Sequence, residues 1–226
     1  MVTTPYSSSA KPITPPSQHE RKLYSLRWLG NIKFPCLAEF PNLRPGEVSL
    51  VEESPDTTSL RRSSVLVDFS SHACIQRVDS EPYPIIKLAH PDAQSMTLIR
   101  YEYAMLSRLA QLDLPIPVCS NDPIIERGQL RGYRMEELFK LAHDVMPLRL
   151  EDVKQAVKKF HEAGYSHRDL SLSNIMKDSQ ESIVVIDVSC SGPVGKEIPS
   201  WVPNWAYERA TFHTESDIKQ MEDIFP

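Results

Sequence analysis

The chain has 226 residues, 41% hydrophobic and 24% charged, a composition that fits one good-sized domain or two small lobes and excludes a fibrous or wholly disordered chain. Its net charge of -5 lacks the basic excess of proteins that coat nucleic acid. No apolar run approaches the ~20 residues of a membrane helix, so neither nucleic acid nor membrane is an expected partner.

Residues 1–20 are rich in Pro, Ser and Thr with little to bury, and read as a disordered tail. An N-terminal extension without clean periodicity follows over 21–46. From Glu47 onward short β-branched runs between turn residues predict strands at Val48–Val51, Ser64–Phe69, Cys74–Val78 and Tyr83–Lys87. Met96, Ile99, Tyr103, Leu106 and Leu109 then recur at helical spacing, which predicts a helix over 93–112 ended by Leu114-Pro-Ile-Pro117. Two further strands, Ile124-Ile125 and Tyr133–Met135, flank a turn at Gly128-Gln129.

The second half changes character. Leu150, Val153, Ala156, Val157 and Phe160 form one apolar stripe, closed by Gly164 where a left-handed residue is wanted. The run Tyr165-Ser-His-Arg-Asp-Leu-Ser-Leu-Ser-Asn174 follows, then an apolar strand Ile183-Val-Val-Ile186 ending in Asp187. Thr214-Glu-Ser-Asp217 reads as a capping box before a last helix over 218–225. Cys36, Cys74, Cys119 and Cys190 are scattered without a C-x-x-C pair, which predicts free thiols and a reducing, cytoplasmic or nuclear location.

The carboxylates and the amide carry the chemistry. Phosphoryl transfer needs positioning and charge neutralisation more than covalent help. Asp169 can orient a hydroxyl or take its proton. Asn174 and Asp187 offer an amide oxygen and a carboxylate to magnesium, and a hairpin turning at Lys177–Glu181 can return both ends to one site. His167 is expected to brace the loop.

The segment Phe160–Asn174 resembles the catalytic loop of the eukaryotic-type protein kinase superfamily, which includes the aminoglycoside and choline phosphotransferases; the likeness covers about 47–226. It implies a two-lobed α+β kinase-like fold: a small antiparallel-sheet N-lobe over 47–138 and a shortened, mainly helical C-lobe over 139–226. By the same resemblance Lys87 contacts the ATP phosphates and Glu102 is its ion-pair partner. Met135-Glu-Glu-Leu138 is the hinge, where the Glu136 carbonyl and Leu138 N–H pair with adenine. Asp217 either binds the catalytic-loop backbone or only caps its helix. ATP and Mg2+ are the implied cofactors, and a protein Ser/Thr hydroxyl the implied acceptor.

Several positions depart from that pattern. No glycine stands between Gly46 and Gly128, so the phosphate-covering turn falls at Phe69-Ser-Ser-His-Ala73. Asp-Phe-Gly reads Asp187-Val-Ser189, and Ser171 replaces the lysine that follows the catalytic Asp in Ser/Thr kinases. These changes keep two alternatives open: a pseudokinase acting as an interaction scaffold, and a small-molecule phosphotransferase. The short C-lobe further suggests a protein partner covering its underside. Arg61-Arg-Ser-Ser64 also matches a site for a basophilic kinase.

Overall fold

The computed structural model describes residues 12–13, 24–26, 48–50, 53–70, 72–79, 82–142, 144–202 and 210–225. The chain divides into two compact units, Met1–Ser63 and Ser64–Pro226. Apart from 12–13 and 24–26, the expected tail and extension lie outside the described residues, as does Cys36.

In the first unit β1 (Pro12–Ile13), β2 (Tyr24–Leu26) and β3 (Val48–Leu50) form a three-stranded antiparallel sheet in that order. A helix that the sequence reading missed, α1 (Pro55–Arg62), follows. Its signals are nonetheless local and strong. The Ser54 side chain accepts from the Thr57 N–H, Pro55 opens the first turn and Asp56 stands beside it, with Arg61 and Arg62 in the last turn. Arg61 is taken by a Glu53 carboxylate at 2.7 Å, and the Ser64 hydroxyl is buried on Gln76 at 2.5 Å. The tetrad therefore does not present Ser64 to a kinase.

The second unit begins with a five-stranded antiparallel sheet. Its strands are β4 (Val65–Phe69), β5 (Ala73–Arg77), β6 (Ile85–Ala89), β7 (Ile124–Glu126) and β8 (Gln129–Met135), in the order β4-β5-β6-β8-β7. All five residues of β6 are buried, as befits a central strand. The β7–β8 turn places Arg127 and Gly128 at φ +51° and +76°, the primed geometry that matches strand twist. Helix α2 (Ala93–Ala110) packs on the sheet through Ile99, Leu106 and Leu109. Asp92 caps it by accepting from the Ser95 N–H at 2.9 Å.

Beyond β8 come β9 (Phe139–Lys140), α3 (Leu150–Glu162), β10 (Tyr165–Ser166), β11 (Ile175–Lys177), β12 (Ile183–Val185), β13 (Gly192–Pro193) and α4 (Glu215–Ile224). The α3 stripe is buried as its spacing predicts, through Val153, Ala156, Val157 and Phe160, and Gly164 stands at φ +79° just past its end. Strands β11 and β12 form the expected hairpin, Ile175 opposite Val185. One continuous core runs from Ile85, Ile99 and Tyr133 to Phe160, Ile175 and Val185. An antiparallel-sheet lobe and a helical part thus share a single hydrophobic interior. No helix among the described residues is long and apolar enough to cross a membrane, and Cys74, Cys119 and Cys190 are free thiols.

The last helix corrects one expectation. Thr214 makes no side-chain cap, and Asp217 does not close a capping box. Its carboxylate is used elsewhere, on the catalytic-type loop.

Candidate active site

A cleft of about 410 Å³ opens between the sheet and the helical part of the second unit. Lys87, Glu102, Glu136, Leu138, Asp169, Asn174 and Asp187 all line it. These seven residues are therefore brought to one place, from five different elements and connections.

Lys87 enters from β6, whose register with β5 and β8 sets its side chain across the cleft. Its Nζ donates to Glu102 Oε1 at 2.7 Å and to Asp187 Oδ1 at 3.3 Å. Burial works against the ammonium, but Asp187 and Glu102 outweigh it and raise the Lys87 pKa above its ordinary value. On β8 Tyr133 stands opposite Lys87 and Gly132 opposite Leu88; Gly132 lets the strands approach, since a Cβ there would run into the Lys87 carbonyl and Leu88.

Asp187 sits at φ +62°, in the left-handed region that Asp tolerates better than most side chains. The turn into Val188–Cys190 aims its carboxylate back into the cleft, where Ser189 Oγ donates to Oδ1 at 3.0 Å. Burial would raise its pKa, yet Lys87 and His72 reverse this and take it down to about 2. Asp187 is thus an anion at neutral pH.

Asp169 faces the opposite balance. Burial and the nearby Asp187 charge push it up to about 6, against the hydrogen bond from Asn174. Asn174 Nδ2 donates to the Asp169 carbonyl at 2.8 Å and to Asp169 Oδ2 at 3.3 Å. With its NH₂ group committed, Asn174 offers the cleft an oxygen. Asp187 offers another, because Lys87 and Ser189 both use Oδ1. An amide oxygen and a carboxylate oxygen on one wall form a hard-donor set that suits magnesium.

The loop bearing Asp169 is fixed from below. Asp217 accepts from the His167 and Arg168 N–H groups at 2.8 and 2.6 Å, and lies 2.9 Å from His161 Nε2. Burial opposes the Asp217 carboxylate, but the His161 contact and these bonds hold its pKa below the usual value. Gln220, one turn further along α4, donates to the Arg168 carbonyl and accepts from the Leu170 N–H. Together they hold Arg168 at φ +72°. His167 braces the other side: Nε2 donates to the Ile186 carbonyl at 2.9 Å and Nδ1 accepts from the Asp169 N–H at 3.3 Å. That pair of partners fits one neutral tautomer, and burial lowers the His167 pKa to match.

The hinge segment leaves its edge open. The Glu136 N–H donates to the Val118 carbonyl, while the Glu136 carbonyl and Leu138 N–H have no hydrogen bond among the described residues. Ile75, Ile85, Met135, Met176 and Ile186 supply apolar walls nearby.

Sequence reasoning missed two residues that position the site and one that lies beside it. Gln220 carried a signal, one turn beyond Asp217 on the same helix face. Ser189 occupied a recognised departure but had no assigned bond. His72 lies in the turn that replaces the glycine loop, and its imidazole reaches to 3.8 Å from Asp187 Oδ1.

Residues 77–199, more than half of the chain, match the model of the RIO domain. The chain belongs to the RIO-domain family. RIO domains are atypical kinase-like phosphotransferases that in general use ATP with Mg2+. The match runs from the end of β5 past the Asp187 turn and so contains the lysine strand, α2, the hinge and the catalytic-type loop. No curated protein matches the chain closely.

Proposed function

We propose that this RIO domain is an ATP- and Mg-dependent phosphotransferase that moves the γ-phosphoryl group to a hydroxyl, with Ser or Thr of a protein as acceptor. The observation that carries the reading is the joint placement of Lys87, Glu102, Asp187, Asn174 and Asp169 around one cleft. A binding scaffold has no physical need for all five.

Magnesium, when bound, would neutralise charge on the phosphates. Asn174 and Asp187 are the residues that would hold it, through the Asn174 amide oxygen and the Asp187 oxygen that Lys87 and Ser189 do not use. Lys87, kept charged and pointed by Glu102, binds phosphate oxygens. The Glu136 carbonyl and Leu138 N–H hold the adenine edge, and the apolar walls exclude water from its faces. Asp169 orients the acceptor hydroxyl and takes its proton on a carboxylate oxygen. A carboxyl pushed up to about 6 is a better proton acceptor than an ordinary aspartate and still ionised at neutral pH.

Arg168 in the His-Arg-Asp run supports a protein acceptor over a small alcohol. The deciding experiment incubates the protein with labelled ATP and Mg2+, offering protein substrates and small alcohols in parallel. Transfer to protein that disappears in Asp169→Asn, while the nucleotide thermal shift persists, supports the reading. No transfer to any acceptor, with no Mg-dependent nucleotide shift, returns the chain to a scaffold.

A further inference from the structure

The turn between β4 and β5 carries a buried side chain that the proposed reaction does not use. His72 is held by its backbone: its carbonyl accepts from the His90 N–H at 2.8 Å. His90 Nε2 lies 3.2 Å from the Ser70 carbonyl on the same turn. Further bonds between Ser70 and Ala73 close the turn. The imidazole is thereby directed inward, where Nε2 stands 3.8 Å from Asp187 Oδ1 and 4.0 Å from Glu102 Oε2. One ligand atom from each of the three residues lies within 4.8 Å of the others.

We propose that His72, Glu102 and Asp187 form a binding site for a borderline divalent cation of the zinc class, and that this cation and Mg–nucleotide are alternatives in the cleft. The exclusion half rests on the function proposed above; the site itself does not.

The donor set decides the class of ion. One imidazole nitrogen and two carboxylate oxygens are ligands that zinc accepts with a fourth position left open, and zinc imposes no geometry from its d-electrons. Magnesium requires a near-ideal oxygen octahedron and keeps several waters, which a buried imidazole does not favour. Among divalent ions, zinc also ranks above manganese in intrinsic affinity for a nitrogen-containing site. The three residues come from a turn, a helix and a strand end, so the chain ties their positions together only through the folded cleft.

Exclusion follows from which groups the ion takes. Glu102 holds Lys87 through its other oxygen at 2.7 Å. A dication on the same carboxylate weakens that hold by repulsion of the ammonium. Asp187 is the charged group assigned to magnesium. A single zinc-class ion thus captures both carboxylates on which the nucleotide-bound arrangement depends.

The test uses the full chain. Zn2+ is titrated against a fluorescent chelator without nucleotide, and the Mg–ATP thermal shift is followed as Zn2+ rises. The expected result is tight binding that His72→Ala weakens by at least about tenfold, the smallest loss seen even for groups that only orient a ligand. Visible d–d absorption of bound Co2+ should vanish in the same variant, whose Mg–ATP shift without zinc persists. Should His72→Ala fail to fold, His72→Gln keeps a polar side chain in the turn and replaces it in every arm. Undiminished zinc affinity in the folded variant overturns the site. Zinc binding that leaves the Mg–ATP shift intact at saturation overturns the exclusion. Absence of any Mg–ATP shift without zinc overturns the phosphotransferase reading and the exclusion together, while the chelator titration still decides the site.

Discussion

Lys87 and Glu102 meet at 2.7 Å with both side chains withdrawn from water, one on the central strand and one on the helix that crosses it. Such a pair is weak evidence for stability but costly to break from one side. Lys87→Met leaves two carboxylates in the cleft without their ammonium, and should cost about 3–5 kcal/mol in urea unfolding at neutral pH. Adding Glu102→Gln should restore part of that loss. It should not restore the nucleotide thermal shift, because the phosphate-binding cation is still missing. A Lys87→Met protein with the wild-type urea midpoint would show that the pair does not hold the lobe.

Asp187 combines an ionised carboxylate with a left-handed backbone, so the choice of replacement matters. Asparagine tolerates that backbone and keeps an oxygen, whereas alanine adds about 1–2 kcal/mol of strain. Asp187→Asn should therefore stay folded and lose the magnesium dependence of nucleotide stabilisation. A titration of the ATP-induced thermal shift against Mg2+ checks this. A variant that still responds to Mg2+ as the wild type does would remove Asp187 from the metal-binding set.

Much of this was legible in the sequence because the signals were local. The β11–β12 hairpin, the α3 stripe and Gly164 each follow from spacing that a few neighbouring residues determine. The meeting of Lys87 with Glu102 was legible only through the family likeness, since nothing in either segment specifies the other. Helix α1 was overlooked although Ser54, Pro55 and Asp56 marked its start, because the adjoining strand-like runs set the expected period. Asp217 shows the limit of local reading. Its spacing from Thr214 fits a capping box, and only tertiary structure reveals that the carboxylate serves the backbone of residues 50 and 49 positions away. His72 had no pattern at all: a histidine in a turn acquires meaning only when the fold brings Asp187 beside it.

Gly132 tests whether the position of Lys87 depends on close strand approach. A side chain at 132 meets the Leu88 side chain and, closer still, the backbone carbonyl of Lys87, which cannot rotate away, so relief requires β6 and β8 to move apart. Gly132→Ala should cost about 1–3 kcal/mol by overpacking. It should weaken nucleotide binding as well, though residue 132 does not itself line the cleft. Calorimetric titration of Mg–ATP alongside urea unfolding separates the two effects. Lost stability with unchanged affinity would mean that the strands yield without displacing Lys87.

Asp217 gives the fold an acid-sensitive anchor. Its carboxylate is fully buried and accepts from two backbone N–H groups of the catalytic-type loop. Its folded pKa is therefore depressed below the unfolded value of about 3.9. A depressed acid contributes fully above the unfolded pKa and loses its contribution as pH falls through the folded one. The wild type should accordingly hold a stability plateau near neutrality and lose this part of it on acidification below about pH 4. Asp217→Asn cannot ionise and gives up one charge-assisted acceptor site, so its plateau should lie about 2–3 kcal/mol lower. Its acid limb should be shallower, and the two curves should converge at low pH. Urea midpoints measured from pH 2 to pH 7 would show it; parallel curves across that range would mean that Asp217 does not hold the loop through its charge.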